Sequence, residues 1–395
     1  DAVCITHAHL DHTGRIPKLI KAGFRGKVYA TPPTAKLATL VLEDAYKIML
    51  SDFKREYRPM LYEEADIEIA LKSFVGVTYN KPVKIKDFTV TFKDAGHIFG
   101  SSFIEVRTEA GKSAAFSGDL GNEGTQILMP TEQLGAVDAL IIESTYGNRI
   151  HEDESTRESK LKTVIERTIK QKGVLIIPAF AIERTQQLLY EMNHLVENRL
   201  IPRVDIYLDS PMAIKATAIV EEYPQYYDQA AYKLIASGDD MFDFPGLKST
   251  LSKDESKVIN SAPKPKVIIA GSGMMNGGRI LHHLIRYLGD ASTTVLIVGY
   301  QAEGTLGRQL YRGDKTVEIY GERINVKAKI ESIGAYSAHA DQNKLVSWIK
   351  EAEAAPKRVY CTHGEEGAAT ALATRVQNEL GIESIAPRYG DSITL

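Results

Sequence analysis

The sequence predicts an α/β protein in two parts, with strand-rich text at both ends of the chain and a run of βα units between them. Three observations carry this reading. A chain of 395 residues is long for a single hydrophobic core. Up to Glu143 the apolar segments are short and strand-like. From about residue 155 onward, apolar runs alternate with helices, which is the pattern of a parallel sheet covered on both faces.

Taken in order, Asp1–Thr6 reads as a short apolar strand, Gly14–Ala22 as a helix and Lys27–Thr31 as a strand. Pro32–Leu50 is an amphipathic helix with proline in its first turn, where no backbone donor is lost. Segments 82–95, 102–107, 113–117 and 137–143 are strand-like, the middle two joined by the turn Glu109-Ala110-Gly111-Lys112. Helix 155–171 then leads to strand Val174–Ile177, helix Ile182–Arg199, strand Val204–Leu208 and helix Pro211–Glu222. Strand Val267–Ala270, helix Arg279–Leu288 and strand Thr294–Val298 continue the alternation. From about 317 strand-rich text returns, with helices Asp341–Ala354 and Gly367–Leu380. Ser261–Pro265 is the most loop-like stretch.

Composition narrows the class. A content of 44% hydrophobic and 25% charged residues is that of an ordinary globular protein in water. No apolar run reaches the roughly 18 residues needed to span a bilayer, so a membrane partner is not expected. No basic-apolar leader opens the chain. It begins at Asp1 without a methionine and enters a motif within seven residues, which reads as a fragment lacking its natural N-terminus. Two cysteines cannot make a disulfide framework and suggest a reducing, cytoplasmic setting. Cys4 and Cys361 read as small strand hydrophobes. A net charge of −3 rules out a wholesale basic surface but not a locally positive cleft for nucleic acid.

The chemistry concentrates in His7-Ala8-His9-Leu10-Asp11-His12, between an apolar strand and a helix. In so tight a loop several nitrogen and oxygen donors converge without long chain closure. Imidazole with carboxylate suits zinc or a similar divalent ion. Three further candidates stand at strand ends: His97 in Asp94-Ala95-Gly96-His97, Asp119 in Ser117-Gly118-Asp119, and His363 in Thr362-His363-Gly364. His151, His194, His282 and His283 sit in helices or a charged loop and read as surface or packing residues.

With these residues in hand, the chain resembles the metallo-β-lactamase superfamily in its β-CASP branch. The ordered set from the histidine loop through His97 to Asp119 resembles the signature of metallo-β-lactamase-fold hydrolases. Glu143-Ser144-Thr145-Tyr146-Gly147, Ala338-His339-Ala340-Asp341 and Thr362-His363-Gly364 look like the three further motifs of the β-CASP group. So do Pro178-Ala179-Phe180-Ala181, Asp209-Ser210-Pro211 and Gly304-Thr305-Leu306-Gly307-Arg308. The strongest likeness is to the nuclease subunit of cleavage and polyadenylation factor and its bacterial and archaeal relatives. The resemblance implies an αββα sandwich, truncated at its N-terminus, formed by residues 1–154 and 313–395 around a β-CASP domain at 155–312. It implies that His7, His9 and His97 hold one zinc ion, that Asp11, His12 and His363 hold another, and that Asp119 bridges them. Manganese is the expected substitute metal.

The same resemblance implies a ribonuclease acting on single-stranded RNA, alone, as a homodimer or within an RNA-processing complex. His363 favours RNA over DNA, since the DNA-processing branch usually lacks it. Two metals about 3.5–4 Å apart would neutralise the phosphate and activate a water aimed by Asp11. By the same analogy His339 would protonate the leaving oxygen with Glu143 fixing its tautomer, giving 5′-phosphate and 3′-hydroxyl ends. For phosphate holding, the turn with Ser272 and Gly273 precedes a helix opened by Arg279, so its N–H groups and helix N-terminus suit an anion. Arg184 and Arg308, at similar strand-to-helix junctions, are further phosphate candidates. Two other readings compete: a hydrolase of small esters or phosphodiesters on the same fold, and a non-catalytic subunit.

Overall fold

A computed structural model of the chain describes residues 1–393, apart from the side chains of residues 55 and 56. It divides into two units with separate cores. One comprises Asp1–Ile150, Gln225–Asp228 and the chain from Ala338 onward, and the other His151–Pro224 and Gln229–Ser337. Sequence reading closes the insertion at 312, whereas the structure closes it at 337. The reason is strand pairing: Lys329–Ser332 runs parallel to Thr293–Ile297 in the inserted sheet. The hairpin of Thr316–Ile319 with Glu322–Asn325 likewise sends Val317 and Ile319 into that core.

The first unit contains two sheets among the described residues. One has three parallel strands in the order Ala2–Cys4, Lys27–Ala30, Phe74–Gly76. The other has seven, in the order Glu383–Ile385, Arg358–Thr362, Ala139–Glu143, Ser113–Phe116, Ser102–Thr108, Phe88–Asp94, Val83–Ile85. Its first four strands are parallel and the remainder antiparallel. Alternation along Phe88–Asp94 turns Val90 and Phe92 inward, where they meet Ile104, Val77, Cys4 and Tyr29 between the sheets. Phe103, Leu140 and Ile142 point the other way, onto Leu345 and Trp348 of helix Gln342–Lys350 and Leu372 and Val376 of helix Glu366–Leu380. The three-stranded sheet is backed by Ile16 and Ile20 from helix Ile16–Lys21 and by Ala70 from helix Glu64–Ser73. The expected αββα layering is therefore present. Helix Glu64–Ser73, which the sequence reading did not include, buries Ile67, Ala70 and Ser73.

The second unit is built on a six-stranded parallel sheet, ordered Leu247–Ser249, Asp205–Asp209, Lys266–Ala270, Val174–Pro178, Thr293–Ile297, Lys329–Ser332. Lys266–Ala270, Val174–Pro178 and Thr293–Ile297 are buried at every residue, as near-continuous apolar runs predict. The two edge strands escaped sequence reading because they are short and half-polar. Among the described residues, no helix is long and apolar enough to cross a membrane.

The turn after Phe88–Asp94 fixes a functional histidine and is unusually well bonded. The Asp94 carboxyl accepts the Gly96 amide at 2.8 Å, and Glu132 accepts the Asp94 amide at 3.0 Å. The Gly121 amide and the Thr131 hydroxyl both donate to the Ala95 carbonyl, at 2.8 and 3.0 Å. Gly96 adopts φ 62°, and a Cβ on Gly121 would lie 1.8 Å from the Gly96 carbonyl oxygen. Burial pushes the Asp94 carboxyl up to about 7; the Gly96 amide opposes this and the nearby Glu132 charge adds to it.

A pH dependence follows. Unfolded, Asp94 ionises near pH 4, whereas folded it keeps its proton to about 7. The native state therefore binds more protons in that window, and stability falls as pH rises through it. Asp94→Asn keeps an oxygen for Gly96 and removes the titration. Its Tm relative to the parent should climb between pH 5 and pH 8, and parallel Tm–pH curves for the two proteins would refute the assignment.

Candidate metal centre

The side chains singled out in the histidine loop and at the strand ends meet in the first unit. His7 and His9 follow strand Ala2–Cys4, and His9 precedes the single turn Leu10–Thr13 that carries Asp11 and His12. His97 follows Phe88–Asp94, Asp119 follows Ser113–Phe116, Glu143 ends Ala139–Glu143, and His363 follows Arg358–Thr362. His339 lies just before Asp341, whose side chain caps helix Gln342–Lys350 by accepting the Lys344 amide at 2.9 Å. Residues from seven places in the chain thus converge where strands from both sheets end.

Their donor atoms fall into overlapping groups centred on Asp119. His7, His9, His97 and Asp119 offer atoms all within 4.8 Å of one another, as do Asp11, His12 and His363. The His9 Nδ1 lies 3.1 Å from His7 Nε2 and 3.3 Å from His97 Nε2. Two donors on one tetrahedral zinc, each about 2.05 Å from the ion, would stand about 3.3 Å apart. One Asp119 oxygen, Oδ2, sits 3.3 Å from His7, 3.4 Å from His12 and 3.6 Å from His97. The other, Oδ1, lies 3.5 Å from His363 and is buried with no hydrogen-bond partner. His363 Nε2 is also 3.4 Å from His12 Nε2 and 3.6 Å from Asp11.

Electrostatics favour a cation here. Burial pushes His9 and His97 well below the ordinary histidine range, and it lowers His7 despite the Asp119 charge. Neutral imidazoles are the ligating form. Burial opposes protonation of His12, but Asp119 and Asp11 raise it. Burial alone would raise the Asp119 carboxyl, yet His7, His339 and His12 hold it well below the usual carboxylate range. Imidazole nitrogens converging at 3.1–3.3 Å, beside a buried carboxylate oxygen without a hydrogen-bond partner, form a donor set that a cation would satisfy. The donor set fits divalent metal.

Beside this group, His339 Nδ1 lies 3.1 Å from Glu143 Oε2, while Glu143 Oε1 accepts the Leu120 amide at 2.6 Å. Burial works against the His339 cation, but Glu143 and Asp119 outweigh it and raise the imidazole to about 9. Sequence reasoning missed the groups that aim the ligands. The Ser101 hydroxyl accepts the His97 amide at 3.0 Å, and His97 Nδ1 donates to the Ala338 carbonyl at 3.2 Å, which leaves Nε2 for a metal. Thr6 Oγ1 lies 3.2 Å from His7 Nδ1. Only the adjacency of Thr6 and Ser101 to the histidine motifs hinted at this. Cys361 is buried and Cys4 half-buried, both thiols are pushed up to about 11 by burial, and neither joins a donor group.

The expected phosphate contacts lie in the second unit, and each of their arginines is engaged by a carboxylate of that unit. Arg279 donates to Asp209 at 2.7 Å and to the Thr250 and Leu251 carbonyls at 3.0 and 2.7 Å. Arg184 is buried, pairs with Glu183 at 3.0 Å, donates to Gln187, and stacks 5.4 Å over the Tyr336 ring. Both guanidinium groups are bound inside the fold because the carboxylates beside them are themselves buried. Arg308 is more open and pairs with Glu303 at 2.7 Å. The Ser272 hydroxyl donates to the Gly277 carbonyl at 3.2 Å, and at Gly273 a Cβ would meet the Phe180 ring at 2.7 Å. His283, read as a packing residue, is buried and bonds Asp209 at 2.7 Å.

Comparison with known proteins agrees with this geometry. Residues 1–149 match the metallo-beta-lactamase superfamily, residues 185–310 the Beta-Casp domain, and residues 323–387 the Zn-dependent metallo-hydrolase RNA specificity domain. The chain is 36% identical over 393 residues to a ribonuclease of Thermus thermophilus, covering 100% of this chain and 88% of that protein. It is 34% identical over 397 residues to transcription termination factor FttA of Methanosarcina mazei, covering 98% of this chain and 62% of that one. With FttA of Thermococcus kodakarensis the identity is 34% over 408 residues, with coverage of 100% and 62%. The chain therefore spans a little under two thirds of these archaeal factors. A solved Enterococcus faecalis protein of unknown function superposes with a TM-score of 0.51 at 13% identity, covering 100% of this chain and 81% of that one. That likeness concerns the fold alone.

Metal should act as a folding ligand. Zinc added to protein stripped with a chelator is expected to raise Tm, by the equivalent of about 2.7 kcal/mol per ion at a free concentration 100 times Kd. His7→Ala should bind fewer ions by elemental analysis. A Tm indifferent to zinc would contradict the centre.

Proposed function

The chain belongs to the metallo-β-lactamase superfamily, in its β-CASP branch, and from that premise we propose that it is a zinc-dependent ribonuclease cutting RNA phosphodiester bonds with two ions. One observation carries this reading: Asp119 faces His7, His97 and His12 through one oxygen and His363 through the other, with the Glu143–His339 pair alongside. The match to an RNA specificity domain and the ribonuclease name of the Thermus thermophilus relative support RNA as substrate.

In this reading His7, His9 and His97 would hold one ion and Asp11, His12 and His363 the other, with Asp119 placed to serve both. Bound there, two divalent ions neutralise the phosphate oxygens and lower the pKa of water towards neutrality. The chain's own residues do the rest. Asp11, mostly exposed at the mouth of the centre, accepts a hydrogen bond from the attacking water and aims it at phosphorus. His339 gives a proton to the leaving 3′-oxygen. Glu143, fixed by the Leu120 amide, holds His339 Nδ1, so that the transferable proton is the one on Nε2. Water rather than the ribose 2′-hydroxyl attacks, so the ends are 5′-phosphate and 3′-hydroxyl. In the inserted unit, the turn at Ser272 and Gly273, with Arg184, Arg279 and Arg308, supplies the proposed phosphate contacts.

Three measurements test the assignment. His339→Ala should keep both ions by elemental analysis and lose about 10²–10⁴ in kcat; loss of metal together with activity would make it a ligand instead. Asp119→Ala should bind little metal, and full occupancy would refute bridging. End-labelled single-stranded RNA bearing a 5′-triphosphate or a 5′-monophosphate should be cut to products with 5′-phosphate ends. Mononucleotides from the monophosphate form alone indicate an exonuclease, and internal fragments from both an endonuclease. Cleavage of a small ester without cleavage of RNA would overturn the proposal.

A further inference from the structure

The residues that follow Glu143 are not used by the chemistry above. Ser144 and Thr145 meet the turn that carries His363. That histidine adopts φ 50°, a left-handed conformation that a residue with a Cβ enters only at a cost. Such a conformation lasts where neighbours over-determine it, and it clusters at functional sites. Here the neighbours come from the end of Ala139–Glu143, which pairs with Arg358–Thr362 and sets Thr362 opposite Glu143. The Thr145 hydroxyl donates to the His363 carbonyl at 3.2 Å, and the Ser144 amide donates to the same oxygen at 3.4 Å. The Ser144 hydroxyl donates to the Thr362 carbonyl at 2.7 Å. On the far side only glycine fits, since a Cβ on Gly364 would lie 2.4 Å from the Ser144 carbonyl oxygen. The carbonyls on both sides of the strained residue are therefore pinned by one dipeptide.

His363 needs this more than the other ligands do. The His7 and His97 side chains are fully buried and packing holds them, whereas the His363 side chain is 40% exposed. Its direction depends on the backbone beneath it.

We propose that Thr145 is a positioning residue for the second ion: its hydroxyl holds the His363 turn in the left-handed conformation that delivers the imidazole to Asp11 and His12. The inference rests on the two-ion reading. A polar clamp on a ligand's backbone should tune metal affinity as outer-shell partners do, with the buried first group of ligands left unaffected.

The test titrates metal-stripped protein with zinc by calorimetry, comparing the parent with Thr145→Val, Thr145→Ser and His363→Ala. The parent and Thr145→Ser should take up two ions with similar affinities. Thr145→Val should bind the first ion normally and the second roughly tenfold more weakly. Its RNA cleavage should fall at limiting zinc and recover in excess zinc, while the Tm of the metal-stripped variant matches that of the metal-stripped parent, which a folding defect would lower. Thr145→Ala carries the same expectation should the valine variant misfold by circular dichroism. Two ions bound by Thr145→Val at parental affinity would overturn the clamp and leave the two-ion reading standing. A single ion bound by the parent, with His363→Ala unchanged from it, would overturn the two-ion reading and the clamp together.

Discussion

Asp119 is a carboxylate held almost entirely out of water at the end of a short strand, with its charge retained. Burying such a charge costs several kcal/mol unless opposite charge and hydrogen bonding answer it. The answer comes from residues far apart in sequence: His7 and His12 from the first loop, His97 from the second, His339 and His363 from the last third of the chain. The His7 and His97 imidazoles beside it are fully desolvated in turn, so the group is mutually dependent. Its remaining deficit is one of positive charge, since Oδ1 finds no donor. A cation-binding centre is the state of this cluster in which all its members are satisfied.

The fold of the first unit serves that convergence. Parallel pairing of Ser113–Phe116, Ala139–Glu143 and Arg358–Thr362 brings three strand ends to one edge of the larger sheet. The three-stranded sheet delivers the histidine loop to the same place, with Val90, Phe92 and Ile104 packed between the sheets. Where loops must nearly touch, glycine is used: Gly121 lies against Gly96, and Gly364 against Ser144. The chemistry is therefore carried by loops, and their precision by the rigid edge beneath them.

Much of this was legible in the chain. The histidine loop, His97, Asp119 and His363 stand at or just beyond strand ends, Glu143 and His339 were marked by the family resemblance, and the structure brings all of them together. The central strands of the inserted sheet were equally plain, because a strand buried on both faces has no polar register to confuse it. Strands Leu247–Ser249 and Lys329–Ser332 were not, because tertiary pairing rather than local propensity forms them. The pairing of Lys329–Ser332 in turn carries the second compact unit on to 337, beyond the Beta-Casp match, which ends at 310.

Arg184 and Arg279 show the limit most clearly. Both stand at strand-to-helix junctions where an anion site is plausible, yet their guanidinium groups are bound to Glu183 and Asp209 inside the fold. A sequence states which groups are charged but not which of them has already met its counter-ion. Likewise the Thr145 hydroxyl meets the His363 carbonyl, 218 residues along the chain, only through folding. The sequence alone determined the donor types, their order and their strand-end placement, because these depend on local composition and periodicity. Tertiary structure decided which donors share an ion, which arginines are engaged and what holds each ligand, because those are distances between residues remote along the chain.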